Sequence, residues 1–127
     1  MKEMYILEYP MNSSIRILFP RLSTSTGLSE WFADEVTEAG SIFTFRWKTH
    51  TQQAKMIKLK DLQSVRFQWL EEESSDEDNY FEFKVSQDEL TGEVLLTIID
   101  FADPDDIDDS KGLWETQVND LKRLLGS

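Results

Sequence analysis

The sequence predicts a single α+β domain spanning residues 1–127. A curved antiparallel sheet of about six to seven strands wraps around a long C-terminal helix, and two short helices follow the first strand. Three observations lead there. Between positions 34 and 101 apolar residues recur at every second place, in runs separated by turn-forming residues. After position 110 the period changes to three and four. A Ser/Thr/Gly break at positions 23–27 separates two helical fragments, each too short to form a layer of its own.

Taken in order, Glu3 to Met11 alternates loosely, with Tyr5, Leu7 and Tyr9 on one side, and closes at Pro10 and Asn12-Ser13-Ser14. Ser14 suits a helix cap before Ile15 to Phe19, and Pro20 is expected to hold that helix to a turn or two. Leu28 to Phe32 reads as the second short helix, because Leu28, Trp31 and Phe32 share a face. A short strand around Val36 ends at the turn Ala39-Gly40. Ile42 to Lys48 alternates cleanly, setting Phe43, Phe45 and Trp47 against Thr44, Arg46 and Lys48. Lys55 to Leu59 is a weaker strand after the polar turn Thr49 to Gln53. Ser64 to Leu70 and Tyr80 to Val85 repeat the sharp pattern, and between them runs the acidic stretch Glu71 to Asp78, read as a solvated hairpin loop. Glu93 to Phe101 is apolar on both faces, as a strand covered on both sides would be. Trp114, Val118, Leu121 and Leu125 then form the stripe of the final helix, which Gly126 closes. The Asp-rich run 103–109 precedes it, where the positive end of the helix favours negative charge.

Composition excludes several functions. The chain carries 13 Lys+Arg against 25 Asp+Glu, a formal charge of −12, and no continuous basic run offsets it. Such a surface repels phosphate backbones and anionic membranes, so no nucleic acid is expected as a partner. Cysteine is absent and His50 is the single histidine, which leaves little for thiolate metal sites or His-based catalysis. No metal or cofactor is expected. No stretch has the length of a signal peptide or a membrane span, so no membrane insertion and a cytoplasmic location are expected.

The stretch Leu22-Ser-Thr-Ser-Thr-Gly-Leu-Ser-Glu-Trp31-Phe32 leads into Ala33-Asp-Glu-Val36 and then Phe43-Thr-Phe-Arg-Trp47. Gly112-Leu113-Trp114 opens a helix ending Leu121-Lys-Arg-Leu-Leu125. In these motifs and in element order the chain resembles the START-like, or helix-grip, superfamily. It is most similar to the branch of polyketide-cyclase-like proteins and the Aha1 C-terminal domain, among small stand-alone bacterial members. The resemblance implies a curved sheet gripping the last helix. It also implies either an apolar ligand held between the two or a filled interior and a surface that binds protein; fold alone does not choose.

The aromatic set Trp31, Phe32, Phe43, Phe45, Trp47, Phe67, Trp69, Phe83 and Trp114 is the candidate ligand site. It would bury a lipid-like or aromatic small molecule, with Trp31 and Phe32 as a lid. The same side chains are bulky enough to be the core, and their number argues for filling. Arg46, Arg66 and Lys84 fall opposite the aromatic face, as solvated residues would. Asp100 shares parity with Leu96 and Ile98; a carboxylate there either meets the apolar face, needing a partner or a raised pKa, or escapes to solvent at the strand end, which is favoured. The acidic run at 103–109 lacks the order of a calcium-binding loop, and His50 lies in a polar turn. No nucleophile–base pair emerges, so no catalytic residue is assigned and catalysis is not expected. An enzyme of cyclase or dehydratase type would have to use Asp100 or Arg66. The remaining alternative is an Aha1-like interaction module whose acidic surface engages a partner with a basic surface. Exposed apolar residues such as Ile57 and Leu59, placed at the sheet edge, leave the chain a monomer or a weak homodimer.

Overall fold

Chain ends that meet across the sheet set the architecture. In the computed structural model, which describes residues 2–70 and 79–126, β1 (Glu3–Met11) pairs antiparallel with β7 (Val94–Ala102), from Glu3 opposite Ala102 to Met11 opposite Val94. Between them in sequence lie β2 (Glu35–Ala39), β3 (Ile42–Arg46), β4 (Thr51–Lys60), β5 (Ser64–Trp69) and β6 (Tyr80–Gln87). All join one seven-stranded sheet in the order β1-β7-β6-β5-β4-β3-β2. Strand β7 is therefore interior, which accounts for apolar residues on both of its faces. The acidic stretch read as a hairpin loop, Glu71 to Asp78, lies outside the described residues.

One face of the sheet holds the core. Phe43, Phe45, Val65, Phe67, Phe81, Phe83, Leu96 and Ile98 are each no more than 1% exposed. The alternation of the strands put them on one side. Helix α3 (Ile107–Leu124) follows a short 3-10 turn at Pro104–Asp106 and packs with Trp114, Val118 and Leu121 buried. Its first turn carries Asp108 and Asp109 and its last Lys122 and Arg123, each suited to the helix dipole. Gly126 takes a positive φ of 74° just beyond the helix end, where an L side chain would be strained.

The short helices differ from expectation. Helix α1 runs over Ile15–Ser23 and continues through Pro20. Arg16 and Pro20 are both exposed, so the carbonyl that loses its amide partner is open to water. The opposite face, Leu18, Phe19 and Leu22, is buried and outweighs that loss. Helix α2 is Ser25–Leu28, not Leu28 to Phe32, because Thr24 caps it by accepting from the Gly27 amide at 2.9 Å. Trp31 and Phe32 follow in a turn.

One further expectation is corrected on the strands. Strand β4 begins at Thr51, inside the stretch read as a turn, because β3 on one side and β5 on the other satisfy its backbone. Ile57 and Leu59, 43% and 54% exposed, lie beyond the Thr51–Lys55 stretch that pairs with β3, next to a register shift between Met56 and Lys58, so β5 flanks them and β3 does not. The sheet edges are β1 and β2.

Candidate functional site

A cavity of about 480 Å³ opens at one end of the grip, within the usual range for small-molecule sites. Its walls come from separate parts of the chain. The turn after α2 supplies Phe32, the residue following β3 is Trp47, the end of β5 supplies Trp69, β7 supplies Asp100, and α3 supplies Ser110, Leu113, Trp114 and Gln117. Asp34, Lys48, Thr49, His50 and Gln52 complete the lining; of these all but Gln52 are exposed and form the rim.

The walls are held by hydrogen bonds that leave the aromatic rings as the cavity surface. The Phe32 carbonyl accepts from Trp47 Nε1 and from Gln117 Nε2, both at 2.9 Å, tying the turn to β3 and to α3. The backbone amide of Trp47 donates to the His50 carbonyl at 2.8 Å, and the two rings stack with centroids 4.8 Å apart. Trp114 stacks on Phe32 at 5.6 Å and meets Phe83 edge-on at 5.8 Å.

Asp100 is the polar centre of the cavity. Its Oδ2 accepts from Trp114 Nε1 at 2.9 Å and from the Tyr5 hydroxyl at 3.1 Å, and its Oδ1 accepts from the Phe101 amide at 2.8 Å. The carboxylate does not escape at the strand end: the closing of β1 and α3 over β7 covers it. Burial raises its pKa above the usual carboxylate value, although the three hydrogen bonds and nearby Lys2 oppose the shift. Burial, followed by the Asp100 charge, also raises the pKa of the Tyr5 hydroxyl.

A pH dependence follows. Between the raised pKa of folded Asp100 and the usual value of 3.8, the folded protein binds more protons than the unfolded chain. Stability from this group therefore grows as pH falls through that window and is lost as pH rises. Urea unfolding at several pH values from 7 down to 4 should show the wild type gaining stability relative to Asp100→Asn. A difference that stays constant across the series would contradict this.

The nine aromatic residues read from the sequence separate into two groups. Phe32, Trp47, Trp69 and Trp114 line the cavity. Phe43, Phe45, Phe67 and Phe83 lie beneath it and are no more than 1% exposed, because they share one core with the buried residues of α1, α2 and α3. Trp31 is also apart, buried with its Nε1 donating to the Arg21 carbonyl at 2.7 Å. Its indole ties the turn after α2 to α1, whereas Phe32, 4% exposed, is a wall of the cavity. His50, placed in a surface turn, is exposed yet borders the cavity mouth. The rim residues carried little signal, but Ser110, Trp114 and Gln117 are spaced four and three and so share a helix face.

Arg46 and Lys84 are exposed, as read, whereas Arg66 covers Glu82, whose side chain is fully buried. Among the described residues no three His, Cys, Asp or Glu side chains are grouped to hold a metal, and no helix is long and apolar enough to cross a membrane.

No curated protein matches the chain in sequence. Among solved structures it is similar to BfR322 from Bacteroides fragilis, at 44% identity and a TM-score of 0.68, covering 97% of this chain and 90% of that one. The Aha1 dimer from Colwellia psychrerythraea shares its fold at 17% identity and a TM-score of 0.80, covering 97% and 96%. CalU16 from Micromonospora echinospora does so at 13% identity and a TM-score of 0.71, covering 97% and 74%. The family model for the START-like superfamily domain matches residues 1–127, and the chain belongs to that superfamily.

Proposed function

We propose that the protein is a cytoplasmic receptor for a small molecule with an apolar, aromatic-sized body, held between the end of the sheet and α3. The observation that carries this reading is the open cavity of about 480 Å³ walled by Trp47, Trp69 and Trp114 above a solid phenylalanine layer. The indole nitrogens of Trp47 and Trp114 already have partners, so their rings present apolar surface to an occupant. Burying such surface supplies the affinity, at about 25 cal/mol per Å² before the costs of association.

The neutral fluorophore N-phenyl-1-naphthylamine tests this directly. Its emission should rise on saturable, one-to-one binding to the wild type, and Trp47→Leu should weaken that binding about tenfold, since an indole wall contributes more contact area than an isobutyl group. A titration without saturation would overturn the receptor reading and favour a protein-interaction module.

A further inference from the structure

The cavity is not uniformly apolar, and its polar groups differ in sign and depth. Asp100 is set among Trp114, Tyr5 and the end of β7, and its oxygens receive one indole N–H, one phenol O–H and one backbone N–H. None of these donors carries a formal charge. Lys2, the cation that acts on it electrostatically, is exposed. A second carboxylate, Asp34, stands at the rim. Lys48 is the one cation among the described lining residues, and it too is exposed, where water screens it. The Asp100 side of the cavity is therefore negative, and Trp47, Trp69 and Trp114 line the same cavity with indole rings, whose faces attract positive charge.

We propose that the occupant is an organic cation: an amine, protonated at neutral pH, attached to an aromatic or alicyclic body. The inference rests on the receptor reading above and adds the charge of the ligand to it. The body fills the space against Trp47, Trp69 and Phe32, while the ammonium group lies on the Asp100 side, near Trp114. An anionic ligand of the same shape would face the half-buried Asp100 carboxylate without a deep cation to meet it. A neutral one would forgo the electrostatic attraction and keep only the apolar contact. The overall charge of −12 acts in the same direction, raising the local concentration of cations around the mouth.

The test displaces N-phenyl-1-naphthylamine with three compounds of similar shape: 2-phenylethylammonium, 2-phenylethanol and 3-phenylpropionate. In the wild type the cation should displace the probe at about a tenfold lower concentration than the alcohol, with the anion weakest. In Asp100→Asn the cation and the alcohol should become equivalent. Should that variant fail to fold, the carboxyl ¹³C resonance of Asp100 in the wild type supplies the second readout, moving with the cation and not with the alcohol. If the alcohol or the anion equals or exceeds the cation while the probe remains displaceable, the charge inference is overturned and the receptor reading stands. If the probe itself does not bind, the receptor reading fails and this inference fails with it.

Discussion

Replacing Arg66 with methionine should lower folding stability by about 3 kcal/mol, the range found when one partner of a buried ion pair is removed. Glu82 is the reason. It lies on the face of β6 opposite the phenylalanine core, yet its side chain is fully buried between neighbours on β5 and β7, with Arg66 and Ile99 as its register partners. Arg66 Nε donates to Glu82 Oε1 at 2.6 Å, and its guanidinium rests 4.2 Å from the centre of the Tyr80 ring. Among the described residues Oε2 has no hydrogen-bond partner, and Lys84 Nζ approaches it only to 3.8 Å. Methionine retains most of the cover that Arg66 provides while removing its charge, so the carboxylate stays dry and loses its principal partner. The double variant Arg66→Met/Glu82→Leu should recover most of the loss, because a packed apolar pair has no charges to desolvate. Guanidinium unfolding of the two single variants and the double one completes the cycle. A loss below about 1 kcal/mol for Arg66→Met would show that Lys84 or water already compensates Glu82.

Gly27→Ala should cost about 3 kcal/mol, at the upper end for inserting one methyl group into a packed site. The constraint is space and not backbone conformation. An added Cβ would lie 2.2 Å from the Pro20 carbonyl oxygen and 2.6 Å from the Arg21 Cα, both backbone atoms that no side-chain rotation can move aside. Relief requires α2 to move away from α1, which strains the Thr24 cap and parts Leu28 from Leu22, both fully buried. Gly112 provides the contrast. It lies within α3, and a methyl group added there would meet nothing within 4 Å, so Gly112→Ala should stabilise by about 0.5–1 kcal/mol through helix propensity. Thermal unfolding of both variants distinguishes the two effects. A Gly27→Ala protein as stable as the wild type would mean that the contact between the helices yields freely.

How far the sequence could be read depends on the range of the interaction involved. Strand alternation placed Phe43, Phe45, Phe67 and Phe83 on one face, since the direction of a side chain along a strand depends only on its position. The stripe from Trp114 to Leu125 was equally plain. Pro20 misled because its local cost is offset by Leu18, Phe19 and Leu22 packing on the other side of α1. Strand β4 was shortened because Thr51, Gln52 and Gln53 resemble a loop until β3 claims their backbone. At the candidate site, Trp47, Trp69 and Trp114 were visible as large aromatic residues, but nothing local separated them from the phenylalanines beneath.

The sequence by itself determined the types of element, their order, the buried faces of β1, β3, β5 and β6, and membership in the START-like superfamily. These follow from periods of two and of three to four, and from short motifs that need no distant partner. Tertiary structure alone decided that β1 closes on β7, that Asp100 meets Tyr5 and Trp114, and that Glu82 is buried beneath Arg66. It also decided which aromatic residues fill the core and which bound the cavity. The physical reason is that a cavity is the volume left when residues from 32 to 117 have packed. The burial of a charge is likewise set by neighbours on other strands, which no local pattern encodes.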